Sequence, residues 1–194
     1  MIADFLAGAI AGYGVAVPVG AIGVLIAGLS ARVCFRTGAA AGLGAATADG
    51  VYAALAIIGG TALAEAIAPL ATALRWAAAA VLLTLAGWTA VNRTTPAEGT
   101  DGSSPTRAYL GVLGLTLLNP VTVVYFAALV LGRGGDGGGA WFVVGAFLAS
   151  TSWQLLIAAS GSLAGRFLTG PRARTVTTLV SSAVIAALAV LMVL

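Results

Sequence analysis

One acidic side chain sits where an apolar sequence would least tolerate it. Asp49 lies in Gly44-Ala-Ala-Thr-Ala-Asp-Gly-Val-Tyr52, near the middle of a run long enough to cross a bilayer. A carboxylate at that depth costs roughly 2.5–3.5 kcal/mol on the insertion scale. It is therefore expected to face the bundle interior or a wet chamber, where a cation, an amine or a proton neutralises it. One such group could exchange a proton for an ammonium. The competing role is a neutral acid stitching helices together through Thr47 or Tyr52. The mid-span position favours the functional role.

Two interrupted helices form the second signal. Val17-Pro-Val-Gly20 breaks one apolar run and Leu118-Asn-Pro-Val-Thr122 breaks another. Proline removes a backbone donor and clashes with the carbonyl four residues back. At bilayer depth the freed groups need protein partners or cavity water. Breaks at corresponding places in two halves point to a transporter's binding site. Pro18, Gly20, Asn119 and Pro120 are the candidate site residues beside Asp49. Asn119 offers both an amide donor and an acceptor.

Spacing relates the two halves. Pro18 and Pro120 are 102 residues apart, while Gly42 and Gly145, like Asp49 and Ser152, are 103 apart. Ser152 thus becomes the sixth candidate, in a fifth span made polar by Ser150, Thr151, Ser152 and Gln154. Those four could contact a substrate or bond across helices, and packing is the slightly favoured role.

These residues need elements to hold them. About 20 apolar residues cross the hydrocarbon core as a helix, and six stretches qualify, at roughly 5–29, 38–63, 70–91, 109–131, 140–163 and 175–194. The expected fold is an all-α membrane protein of six transmembrane helices, in one transmembrane domain over 1–194. Two inverted three-helix repeats, at about 1–91 and 109–194, would flank a polar linker at 92–108. Alternating access would then move one half against the other. Gly8 with Gly12, and Gly38 with Gly42, are spaced for close helix approach. The connections between spans one and two, three and four, and five and six hold seven of the nine arginines. That asymmetry places the odd-numbered loops in the cytoplasm. Arg75 is read as an interfacial anchor, and Tyr125, Trp88 and Trp153 as belt or packing residues.

Composition narrows the classes of function. Of 194 residues, 60% are hydrophobic and 8% charged, against about 25% charged in a soluble domain. The net charge of +3 comes from scattered arginines without a basic stripe, which argues against a nucleic-acid partner. With no His and one Cys, neither a metal cluster nor a cofactor is expected. No HExxH, Walker loop or Cys–His pair points to an enzyme. The expected partners are the lipid bilayer and a small-molecule solute, and the lipid-facing surface leaves room for a homodimer.

The same residues resemble the LysE/RhtB family of amino-acid exporters over most of the chain. Pro18-Val-Gly20 stands where that family carries a Pro-Gly motif in its first helix. Ile22 to Leu29, Arg36, Gly38 and Gly42 to Asp49 are similar to its passage into a glycine-rich second helix with a central acid. Gly87-Trp88 resembles the end of its third helix, and Leu117-Leu-Asn-Pro120 with Tyr125-Phe126 its fourth-helix signature. Ala21 and Val121 depart from the proline and lysine common there. The resemblance implies secondary efflux of amino acids or related amines from the bacterial inner membrane, driven by the proton or ion gradient. The alternatives are a metal-cation exporter of a related family and a non-transporting assembly subunit.

Overall fold

The computed structural model describes residues 1–17, 20–91, 104–119, 122, 125–126, 139–167 and 171–191. Among the described residues the fold is entirely helical. The helices are α1 (Ile2–Ala16), α2 (Ala21–Arg32), α3 (Phe35–Ile67), α4 (Ala71–Val91), α5 (Pro105–Leu117), α6 (Gly139–Phe167) and α7 (Pro171–Leu191), with a single 3₁₀ turn at Ala68–Leu70. Pro18, Pro120 and most of the polar linker lie outside the described residues.

The first apolar run is two helices, as its proline predicts, and the axes of α1 and α2 differ by 80°. α2 starts at Gly20, whose extended backbone (φ −95°, ψ −168°) forms the N-cap without a side-chain bond. The fourth run departs from expectation at its start. Its helix begins at Pro105, inside the stretch read as linker, because the Ser104 hydroxyl accepts the Thr106 N–H and Pro105 fills the first turn. Both are strong helix-start signals. It ends at Leu117, just before the Asn-Pro pair.

Among the described residues two helices are long and apolar enough to cross a membrane, α3 over Phe35–Gly59 and α6 over Gly139–Phe167, and α1 with α2 would make a third. Shorter apolar helices occupy Thr72–Gly87 and Leu179–Leu191. Large apolar side chains cover the outside, with Ile10 73% and Ile58 84% exposed. Such a surface suits lipid.

The interior is built from small residues, so backbones come close. Gly8 and Gly12 of α1 rest on the α6 backbone at Phe142 and Ala146, and Gly145 of α6 rests on α1 at Phe5 and Ala9. A methyl group at any of the three would collide with main chain, so the seam requires glycine. Gly161 and Gly165 of α6 seat α2 at Ala27 and Ala31 in the same way. The second expected pair also meets neighbours, Gly38 against Ser30 and Gly42 against Gln154. One core cluster joins Leu25, Ile26, Leu82, Val112 and Ile185 across α2, α4, α5 and α7. A second packs Ala11, Tyr52, Phe126, Phe142 and Ala146 together.

Candidate functional site

α3 and α6 run antiparallel through the middle of the bundle. Gly42 faces Gln154 near one end of their seam and Gly50 faces Phe147 further along. Between these contacts lies Asp49, 3% exposed, beside the fully buried Ser150. The Ser150 hydroxyl donates to Asp49 Oδ2 at 2.6 Å. A hydroxyl bond to a carboxylate this short is of the stronger kind. It joins the two long apolar helices at their polar centre.

One turn along the same face of α3, the Tyr52 hydroxyl donates to the Leu117 carbonyl. Leu117 is the last residue of α5, so its carbonyl has lost its partner within the helix. Tyr52 therefore completes the broken end, and residues three apart on α3 serve the acid and the interruption. Of the two stitches considered for Asp49 itself, neither forms. Thr47 donates to its own Leu43 carbonyl at 2.8 Å and accepts from Tyr109 of α5 at 3.1 Å.

The remaining candidates are placed as follows. Asn119 directly follows the broken end of α5, and its N–H donates to the Thr116 carbonyl at 3.0 Å. Gly20 is exposed, and a Cβ there would meet nothing within 4 Å. Ser152 bonds the Tyr13 hydroxyl of α1 at 2.8 Å and its own Ala149 carbonyl, so Ser150 and not Ser152 is the residue on Asp49. The Tyr125 hydroxyl, beyond the second interruption, lies 2.6 Å from where a Cβ of Gly14 would stand, just before the first. Among the described residues, no group of three or more His, Cys, Asp or Glu side chains gathers.

Sequence reasoning passed over two members. Ser150 was visible in the polar run of the fifth span but was not paired with the acid. The Tyr52 bond to α5 had no sequence signal beyond a tyrosine one turn from Asp49.

An apolar helical bundle with a buried carboxylate beside interrupted helices has the architecture of a membrane transport protein. The chain belongs to the LysE type translocator family, whose model matches residues 14–194. No curated protein and no solved structure matches it. The family is one of transporters, as the sequence resemblance implied.

Proposed function

We propose that the chain is a secondary active exporter of amino acids or related small amine solutes in the bacterial inner membrane, driven by the proton or ion gradient. Asp49 is its coupling carboxylate, holding in turn a proton and the ammonium group of the solute. The observation that carries this reading is the single face of α3 on which Asp49 meets Ser150 and Tyr52 closes the broken end of α5. A charge in that position is expensive unless it is used. Its neighbour is an interrupted helix, and backbone groups at such breaks are the usual ligands at mid-membrane.

We read the chain further as an inverted repeat with six spans. Gly44 meets the Tyr109 carbonyl and the Leu113 nitrogen of α5, and Gly145 meets the Phe5 carbonyl and the Ala9 nitrogen of α1. These are the same two contacts, made by glycines 101 residues apart. Asp49 and Ser150 are also 101 apart, so the buried pair would lie on the axis relating the halves. The arginine asymmetry puts the odd-numbered loops in the cytoplasm.

The test is a solute screen by thermal shift in detergent, followed by counterflow in vesicles with the solute found. Asp49→Asn is expected to lower counterflow at least tenfold in protein that folds and inserts as wild type does. Undiminished counterflow by that variant would remove Asp49 from the mechanism.

A further inference from the structure

One arginine of this apolar bundle turns back along its own helix. Arg32 closes α2, and its Nε–H donates to the Gly28 carbonyl at 3.1 Å. That carbonyl already takes the Arg32 backbone N–H within the helix. The side-chain bond therefore satisfies no loose backbone group and serves to hold the guanidinium. A Cβ on Gly28 would lie 3.5 Å from a terminal nitrogen of Arg32 and 3.7 Å from the Ser181 hydroxyl of α7. The guanidinium thus occupies the gap that Gly28 leaves, beside that hydroxyl, and both side chains are half-buried. An arginine that only anchored a helix end would stretch toward water. Among the described residues no carboxylate pairs with Arg32, and its terminal amino groups form no hydrogen bond.

The pair lies at one boundary of the apolar layer. α2 ends at Arg32, and the apolar part of α7 begins at Leu179, just before Ser181. The stretch ahead of it, 171–178, carries Arg172, Arg174, Thr175, Thr177 and Thr178. Beyond Ser181 the chemistry changes. Val184, Ala187 and Leu191 are exposed, and at three- and four-residue spacing they line one side of the helix. A cationic fork with a hydroxyl at the boundary, and an apolar strip leading away from it, match the two parts of a phospholipid.

We propose that Arg32 and Ser181 bind the phosphate of an anionic phospholipid whose acyl chain lies along Val184, Ala187 and Leu191. A guanidinium presents its N–H groups in a planar fork that fits phosphate oxygens, and the hydroxyl adds one more donor. On the orientation proposed above, this end faces the cytoplasm, where basic pockets between helices take anionic head groups. The lipid then bridges α2 and α7 at the edge of the core that joins Leu25 and Ile26 to Ile185. The site stands apart from Asp49 and does not depend on the role given to it.

The test adds phosphatidylglycerol, phosphatidylcholine of the same acyl chains, or inorganic phosphate to the purified full chain in detergent. Bound lipid is counted by native mass spectrometry, and the melting temperature is followed in parallel. Phosphatidylglycerol should bind about tenfold more tightly than phosphatidylcholine and raise the melting temperature, which inorganic phosphate at the same concentration should leave unchanged. Arg32→Gln should remove the preference between the two lipids. Ser181→Ala should weaken phosphatidylglycerol about threefold, and it decides the matter if Arg32→Gln cannot be purified. Arg166→Gln removes an exposed charge from the last turn of α6, at the same end of the bundle, and should change nothing. Equal binding of the two lipids, or an unchanged preference in Arg32→Gln or Ser181→Ala, would overturn the proposal. So would an equal loss in Arg166→Gln, which would mean diffuse surface charge and no site. Inorganic phosphate that stabilises as well as phosphatidylglycerol would mean a small-anion site and overturn the lipid.

Discussion

Ser150 of α6 and Asp49 of α3 meet at 2.6 Å in the centre of the bundle, each five residues beyond a glycine that seats its helix on another backbone, Gly145 on α1 and Gly44 on α5. The glycines fix how near the long helices stand to their neighbours, and the polar pair then falls where the helices cross. Close packing and a buried charge thus depend on each other.

Removing the Ser150 hydroxyl leaves one carboxylate oxygen without its donor. Ser150→Ala is expected to lower stability by about 1–3 kcal/mol and to slow counterflow roughly tenfold. Thermal unfolding in detergent and vesicle counterflow measure the two effects. Ser150→Thr keeps a hydroxyl and should recover most of both.

Tyr52→Phe keeps the ring in its core cluster and takes away only the hydroxyl on the Leu117 carbonyl. A buried acceptor left unmet costs about 1–3 kcal/mol. The melting temperature should fall, and amide exchange in the last turn of α5 should quicken. Unchanged exchange there would mean that Tyr52 does not hold the interruption.

Gly145→Leu and Gly44→Leu would each drive a side chain into a neighbouring main chain. Main chain cannot swing aside as a side chain can, so the expected cost is about 1–3 kcal/mol or more. The readout is the yield of monodisperse protein from membranes. Gly114→Leu, where a Cβ meets nothing within 4 Å, is the matched control and should express as wild type.

Cys34, exposed in the connection between α2 and α3, shares a 3.4 Å hydrogen bond with the Thr37 hydroxyl. That bond holds the thiol below its ordinary value, and Arg36 adds a smaller push the same way. A lowered thiol releases its proton at lower pH, so maleimide labelling should begin at lower pH than for a free cysteine. Thr37→Val should move the profile upward. Under the proposed orientation, an impermeant maleimide labels Cys34 in inside-out vesicles and not in intact spheroplasts.

The helices were legible because apolar length is a coarse property that few charged residues interrupt. Asp49 stood out for the same reason. The start of α5 was legible in principle, since Ser104 and Pro105 are a cap and a first-turn residue, but polar neighbours disguised them as linker. The partner of Asp49 was harder to read. A spacing of 103, taken from Gly42 and Gly145, matched Asp49 with Ser152 between the halves, whereas the hydroxyl that meets Asp49 is that of Ser150, 101 residues on. In so glycine-rich a chain, several glycines fit equally well until one knows which backbone each must meet. The facing of Gln154 was hidden too. At 100° per residue, polar side chains at 150, 151, 152 and 154 fan over about 200° of the helix, and only the neighbouring helices decide which are inside.

The glycine seams also bear on what would move as a unit. α1 is fastened to α6, and α5 lies against α3, so the opening helix of each portion of the chain is clasped by the other portion. Severing the polypeptide between α4 and α5 would yield two fragments with interlocked arms, neither owning a complete interior. A rocking motion that parted residues 1–91 from 109–194 would have to tear both clasps. On this packing the natural mechanical blocks would be exchanged ones, α1 with α6 and α5 with α3.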